Sequence, residues 1–158
     1  MTQTPTPRET AWGKTLTEAN RMAAELRDEG WNVVAVRAGH VAPVAPAQGN
    51  SDRFGLVYVA PDGVAEDLLD AVEGGSFDRS DAFRNRVGSD LFLVTRVVDS
   101  DARRVVVLVG AVDLGRADPL LDAVRERGTV HSHVELLDGT HLASLRHDDP
   151  SILLPSVA

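Results

Sequence analysis

The sequence predicts an α+β domain: a mainly antiparallel sheet of about six strands with three helices on one face, built from three αββ units. Three observations predict it. Three stretches carry apolar residues at helical spacing, and each is followed by two short β-rich runs. Turn and cap signals separate the runs. The letters also repeat at an offset of 52 residues.

Residues 1–13 hold Thr, Pro and Gly without periodicity, so a disordered tail is expected there, followed by a single domain over 14–158. Thr15 and Glu18 have capping-box spacing, in which hydroxyl and carboxylate satisfy each other's backbone amides. Leu16, Ala19, Met22, Ala23 and Leu26 then share one helical face, and Gly30 suits the C-terminal cap. Residues 33–36 read as a strand. The segment 40–53 is long for a loop in a compact domain and reads as an irregular excursion or a binding loop.

Residues 54–60 are a strand, and Asp62 is placed to cap a helix over 64–73. Residues 77–88 read as a loop with a short helix at 82–87. Two strands, 91–98 and 104–112, flank the turn DSDARR as a hairpin. Asp118-Pro119 starts a helix that ends at Gly128. The runs 130–137 and 140–146 flank Asp138-Gly139, a two-residue hairpin signal.

The repeat supports this order. With a shift of 52, LLDAV at 68–72 falls on LLDAV at 120–124, and nine of the 17 positions from 56 to 72 are identical. No glycine-rich phosphate loop follows the first strand, which argues against a doubly wound nucleotide fold.

A chain of 158 residues fits one domain and can bury about 70% of its unfolded surface without a disulfide or structural metal. The absence of Cys excludes disulfides, thiolate metal sites and Cys nucleophiles. No apolar run approaches the roughly 18–20 residues of a membrane span, and MTQTPTPRET lacks the apolar core of a secretory signal. A cytoplasmic protein with no membrane partner is expected. The basic residues are 15 Arg and one Lys, against 16 Asp and 8 Glu, for a net charge of -8. A GC-rich genome and adaptation to molar salt both bias usage this way. The acidic balance argues against nucleic acid as a partner.

The strings GWNVVAVRAGHVAP (30–43), DRFGLVYVAPD (52–62), GSDLFLVTR (88–96) and LLDGTHLASLRHDDP (136–150) resemble a family of small haloarchaeal proteins of unknown function. The resemblance covers nearly the whole chain after residue 10. It implies a salt-rich archaeal cytosol and transfers no functional residue.

Four of the five His lie between 131 and 147. His131, His133 and Glu135 alternate, so they share one face of a strand. A two-residue turn would set His133 opposite Ser144, His131 opposite Arg146 and Glu135 opposite Leu142. It would leave His141 on the apolar face, beside the turn. Two His and a carboxylate are metal-ligand chemistry, but Arg146 opposite His131 repels a cation and favours an anion or polar ligand. A solvated strand face is the plainest reading, with both rings turned from the core. Arg37 and His40 stand at a strand exit beside the long loop, where sites concentrate. The arginines from 79 to 104 alternate with Asp, as on a salt-bridged surface. His147-Asp148-Asp149-Pro150 reads as a strand exit and turn.

No nucleophile elbow, S-x-x-K, H-E-x-x-H or P-loop is present, so no catalytic residue is assigned, and no metal or cofactor. Ser132, Ser144 and the nearby His make no triad from spacing alone, because triads are defined by geometry. The favoured function is a non-enzymatic binding or interaction module, whose partner is a second copy or another protein at a free sheet face or edge. The alternative is a small enzyme or metal-binding protein with its site near His131, His133 and Glu135.

Overall fold

The computed structural model describes residues 4–46 and 54–155. Among them are three α-helices and seven strands: α1 (Pro7–Asp28), β1 (Asn32–Val44), β2 (Gly55–Val59), α2 (Ala65–Val72), β3 (Arg79–Val87), β4 (Asp90–Asp99), β5 (Arg104–Asp113), α3 (Asp118–Arg127), β6 (Val130–Glu135) and β7 (His141–His147). The strands form one sheet in the order β3-β4-β5-β1-β2-β6-β7, curled into a half-barrel. The α+β class holds, but the sheet is mixed and has seven strands. Four ladders are antiparallel, whereas β1 runs parallel to β5 and β2 parallel to β6.

The helices lie on both faces, not on one. In β5, Val106, Leu108 and Val112 point into the cluster that holds Leu68 of α2 and Leu120 of α3. Val105, Val107 and Val109 point the other way, against Ala19, Ala23 and Leu26 of α1. The alternation of a strand does this automatically. Each fully buried Leu contributes roughly 2 kcal/mol. The buried ridge of α1 is mostly small (Ala11, Thr15, Ala19, Ala23), so the helix sits close on β3, β4, β5 and β1.

α1 starts at Pro7, so residues 7–13, expected as tail, are its first turns. The capping box is Thr6 with Glu9: Glu9 N donates to Thr6 Oγ1, and Thr6 N donates to Glu9 Oε2, each at 3.1 Å. Thr15 lies inside the helix, where its hydroxyl donates to Ala11 O at 2.7 Å. The expected excursion 40–53 is strand as far as Val44, and its positions 47–53 lie outside the described residues.

The segment 77–88 holds β3, not a loop with a helix. Its two faces are half-exposed or exposed along its length, so it lacks the apolar alternation that marks a strand. Asp62 does not cap α2. It opens a single 3-10 turn, Asp62–Val64, that leads into the helix. The strand order of the chain is therefore αββ, αβββ, αββ, and the three αββ units are not equal.

The repeat does coincide with structure. The 3-10 turns Asp62–Val64 and Leu114–Arg116 are 52 residues apart, each between a strand and a helix. Leu68 and Leu120 are both fully buried in the same cluster.

The last hairpin differs from the expected one at its tip. Gly139 N donates to Leu136 O and Leu136 N donates to Thr140 O, each at 2.9 Å, so the loop is Leu137-Asp138-Gly139. A bulge follows, placing Glu135 opposite His141 rather than Leu142. Below it, His133 faces Ser144 and His131 faces Arg146 as expected.

Candidate functional site

The sequence-predicted residues divide into two groups on the outer face of the sheet, with β2 between them. Arg37 and His40 belong to β1, and His131, His133, Glu135 and Arg146 to β6 and β7. Positions 47–53 of the long loop that the sequence sets beside Arg37 and His40 lie outside the described residues.

The first group sits at a bulge. The ladder of β1 with β5 slips between Arg37 and Gly39, and Gly39 has φ +75°, a conformation only glycine adopts without strain. Beyond the bulge His40 faces Ala111. Gly110 of β5 admits the crossing, since a Cβ there would stand 2.2 Å from Val41 Cγ2. Arg37 turns to α1, where its guanidinium donates to Asn20 Oδ1 at 2.6 Å.

His40 instead edges a cleft of about 510 Å³ between β1 and the first turns of α1. The floor is Trp12, Phe92, Ala111 and the bare backbone of Gly39. The rim is His40, Arg8, Glu9 and Thr6. Trp12 and Phe92 pack tilted, with ring centres 6.3 Å apart. Arg8 reaches Asp90 at 3.3 Å but stays mostly exposed. An aromatic floor with a few polar groups at the mouth is how small-molecule sites are built. A second cleft of about 270 Å³ lies at the other end of α1, lined by Trp31, Arg79, Asp81 and Arg96 among others. Arg96 is clamped on Asp81, and Arg103 stacks on Trp31 at 4.7 Å.

The second group is an array of rings. His131 and His133 are stacked 5.6 Å apart, Phe54 meets His131 edge-on, and Arg127 covers the Phe54 ring at 4.5 Å. His133 is buried, contrary to the expectation that both rings face solvent; its neighbours His131, His141 and Phe54 cover it. Burial, and then the nearby Arg146 guanidinium, hold the His131 pKa below its ordinary value. Arg146 itself pairs with Asp148 at 2.9 Å. Among the described residues no group of three His, Asp or Glu converges as metal ligands.

A hydrogen-bonded chain runs through this array. His133 Nε2 lies 2.9 Å from Phe54 O, His133 Nδ1 lies 2.8 Å from Ser144 Oγ, and Ser144 Oγ lies 3.0 Å from His141 Nε2. A carbonyl only accepts, so Nε2 carries the proton of the neutral ring and Nδ1 accepts from the serine hydroxyl. The bulge moves His141 off the apolar face, where the two-residue turn had placed it, and onto this chain.

A third polar line was missed from the sequence. His147, at the end of β7, is buried inside the half-barrel. Its Nδ1 lies 2.8 Å from Ser80 Oγ on β3, and its Nε2 lies 2.8 Å from Ser132 Oγ on β6. The two edges of the sheet are thereby joined through one imidazole. Burial lowers the His147 pKa to about 4. Deeper in, the Tyr58 hydroxyl lies beside Thr95 and Ser132 short of hydrogen-bond geometry, and burial raises its pKa to about 12. The only sequence signal for this line was Ser132 alternating with Val130 and Val134 on the inward face.

No described helix is long and apolar enough to cross a membrane. A model of a family of unknown function (DUF7529) matches residues 1–155. No curated protein and no solved structure matches the chain.

Proposed function

The chain belongs to this family of unknown function, and we propose that it is a binding module for a small organic ligand, held in the cleft between α1 and the bulge of β1. The cleft itself carries the proposal. Its 510 Å³ falls in the ordinary range for small-molecule sites. Half-buried Trp12 offers its indole to a flat ring, with buried Phe92 packed against it, and Gly39 carries no side chain to fill the floor. His40 and Arg8 at the rim suit one acidic substituent, so the ligand class is a ring-bearing carboxylate or its equivalent. The acidic, lysine-poor composition supports a salt-rich cytoplasm as the working environment.

The chain has two Trp, so a Trp31→Phe variant leaves Trp12 as the only indole reporter. Benzoate and indole-3-acetate are the probes. Saturable quenching of Trp12 is expected, lost in an added Ala111→Phe, which fills the floor. His40→Ala should weaken it roughly tenfold, the loss of one charge-assisted hydrogen bond. A linear response, or one unchanged by Ala111→Phe, would contradict the proposal.

A further inference from the structure

We propose that Ser144 is an activated nucleophile, with His133 as its general base, competent to take an acyl group from a small carboxylic ester. The inference stands apart from the cleft and uses none of its residues.

The parts needed are a nucleophile, a base within hydrogen-bond reach and a group that orients the base. Ser144 is an exposed residue on β7. The base is the buried His133, whose Nδ1 lies 2.8 Å from that oxygen. The orienting group is the Phe54 carbonyl, which fixes the proton on Nε2 and leaves the Nδ1 lone pair for the serine. Stacking of His131 on His133 holds the plane of the base. His141 is a positioning residue: its Nε2, at 3.0 Å, occupies an acceptor side of Oγ and directs the hydroxyl proton toward His133.

In the first half-reaction Oγ bonds to the ester carbonyl carbon, and its proton passes to Nδ1. The carbon–alkoxy bond then breaks, and Nδ1 returns the proton to the leaving alcohol. In the second half water gives its proton to Nδ1 and bonds to the acyl carbon. The carbon–Oγ bond breaks, and the proton goes back to Oγ. Ester and water become acid and alcohol, with no oxidant or metal required. An open strand face gives a long acyl chain nothing to pack against, so short acyl groups are the fitting substrates.

Two measurements on the full chain test this. Diisopropyl fluorophosphate, read by intact mass and peptide mapping, should modify Ser144 alone, roughly a hundredfold faster than in urea-unfolded protein, the usual share of a general base. Ser144→Ala should take no label. The second uses the absence of Cys. In Ser144→Cys the single thiol should form thiolate well below the ordinary value of about 8.5, seen in the pH profile of iodoacetamide alkylation. No adduct, an adduct that survives Ser144→Ala, or a thiol that titrates ordinarily would each overturn the proposal.

Discussion

The imidazole of His147 connects the two edges of the sheet, and it does so as a neutral ring. Burial is the main reason its pKa falls from 6.5 to about 4, His131 adds to the shift, and Asp148 opposes it. The unfolded chain therefore takes up this proton first. The stability from the neutral ring is complete above about pH 6.5, is lost as pH falls toward 4, and changes little below that. The shift corresponds to about 3 kcal/mol. Urea unfolding at several pH values should show that loss in the parent chain. In His147→Gln the loss between those pH values should be smaller by about that amount. Nothing in the string His147-Asp148-Asp149-Pro150 marks the ring as interior, because its partners Ser80 and Ser132 are 67 and 15 residues away. The pairing of His133 with Ser144 was legible from turn arithmetic, but its burial was not, since it depends on how His131 stacks on it, on His141 reaching it across the bulge and on the approach of the Phe54 carbonyl 79 residues away in the chain.

Among the elements, α1 shows why a capping motif is ambiguous by itself. The pattern Thr-x-x-Glu occurs at 6–9 and at 15–18, and both copies precede apolar residues at helical spacing. The first copy has Pro7 beside it at the first helical position, where proline's missing amide costs nothing. Thr6→Ala should lower stability by about 1 kcal/mol, whereas Glu18→Ala, which removes an exposed pair with Arg21, should change it by less than about 0.5 kcal/mol. Thermal melts of the two variants check this. β5 illustrates a signal that was present but underused. Residues 105–109 are an unbroken apolar run, the mark of a strand covered on both faces rather than one. That run alone foretells a helix layer on each side. β3 offered no such signal, because its hydrogen bonds to β4, not apolar burial, define it.

At the scale of the whole molecule, chain order gave the αββ rhythm but not the layering. The crossing of β1 between β5 and β2 is a long-range choice that local spacing does not encode. It depends on close approach at Gly110, whose missing side chain makes room for Val41 and the Gly39 carbonyl. Gly110→Ala should destabilise by about 1–3 kcal/mol, the usual cost of overpacking, and should disturb the cleft along with the bulge. Denaturant midpoints measure the first effect and Trp12 quenching the second. The half-barrel is further held at its seam by Arg84, which donates to Ser151 O at 3.1 Å.

Amide chemical-shift mapping with benzoate asks most directly whether the molecule binds ligand at the bulge. Saturable shifts gathered on Trp12, Gly39, His40 and Ala111 are the expected result. Shifts scattered over the surface, or none at millimolar probe, would contradict a binding cleft there.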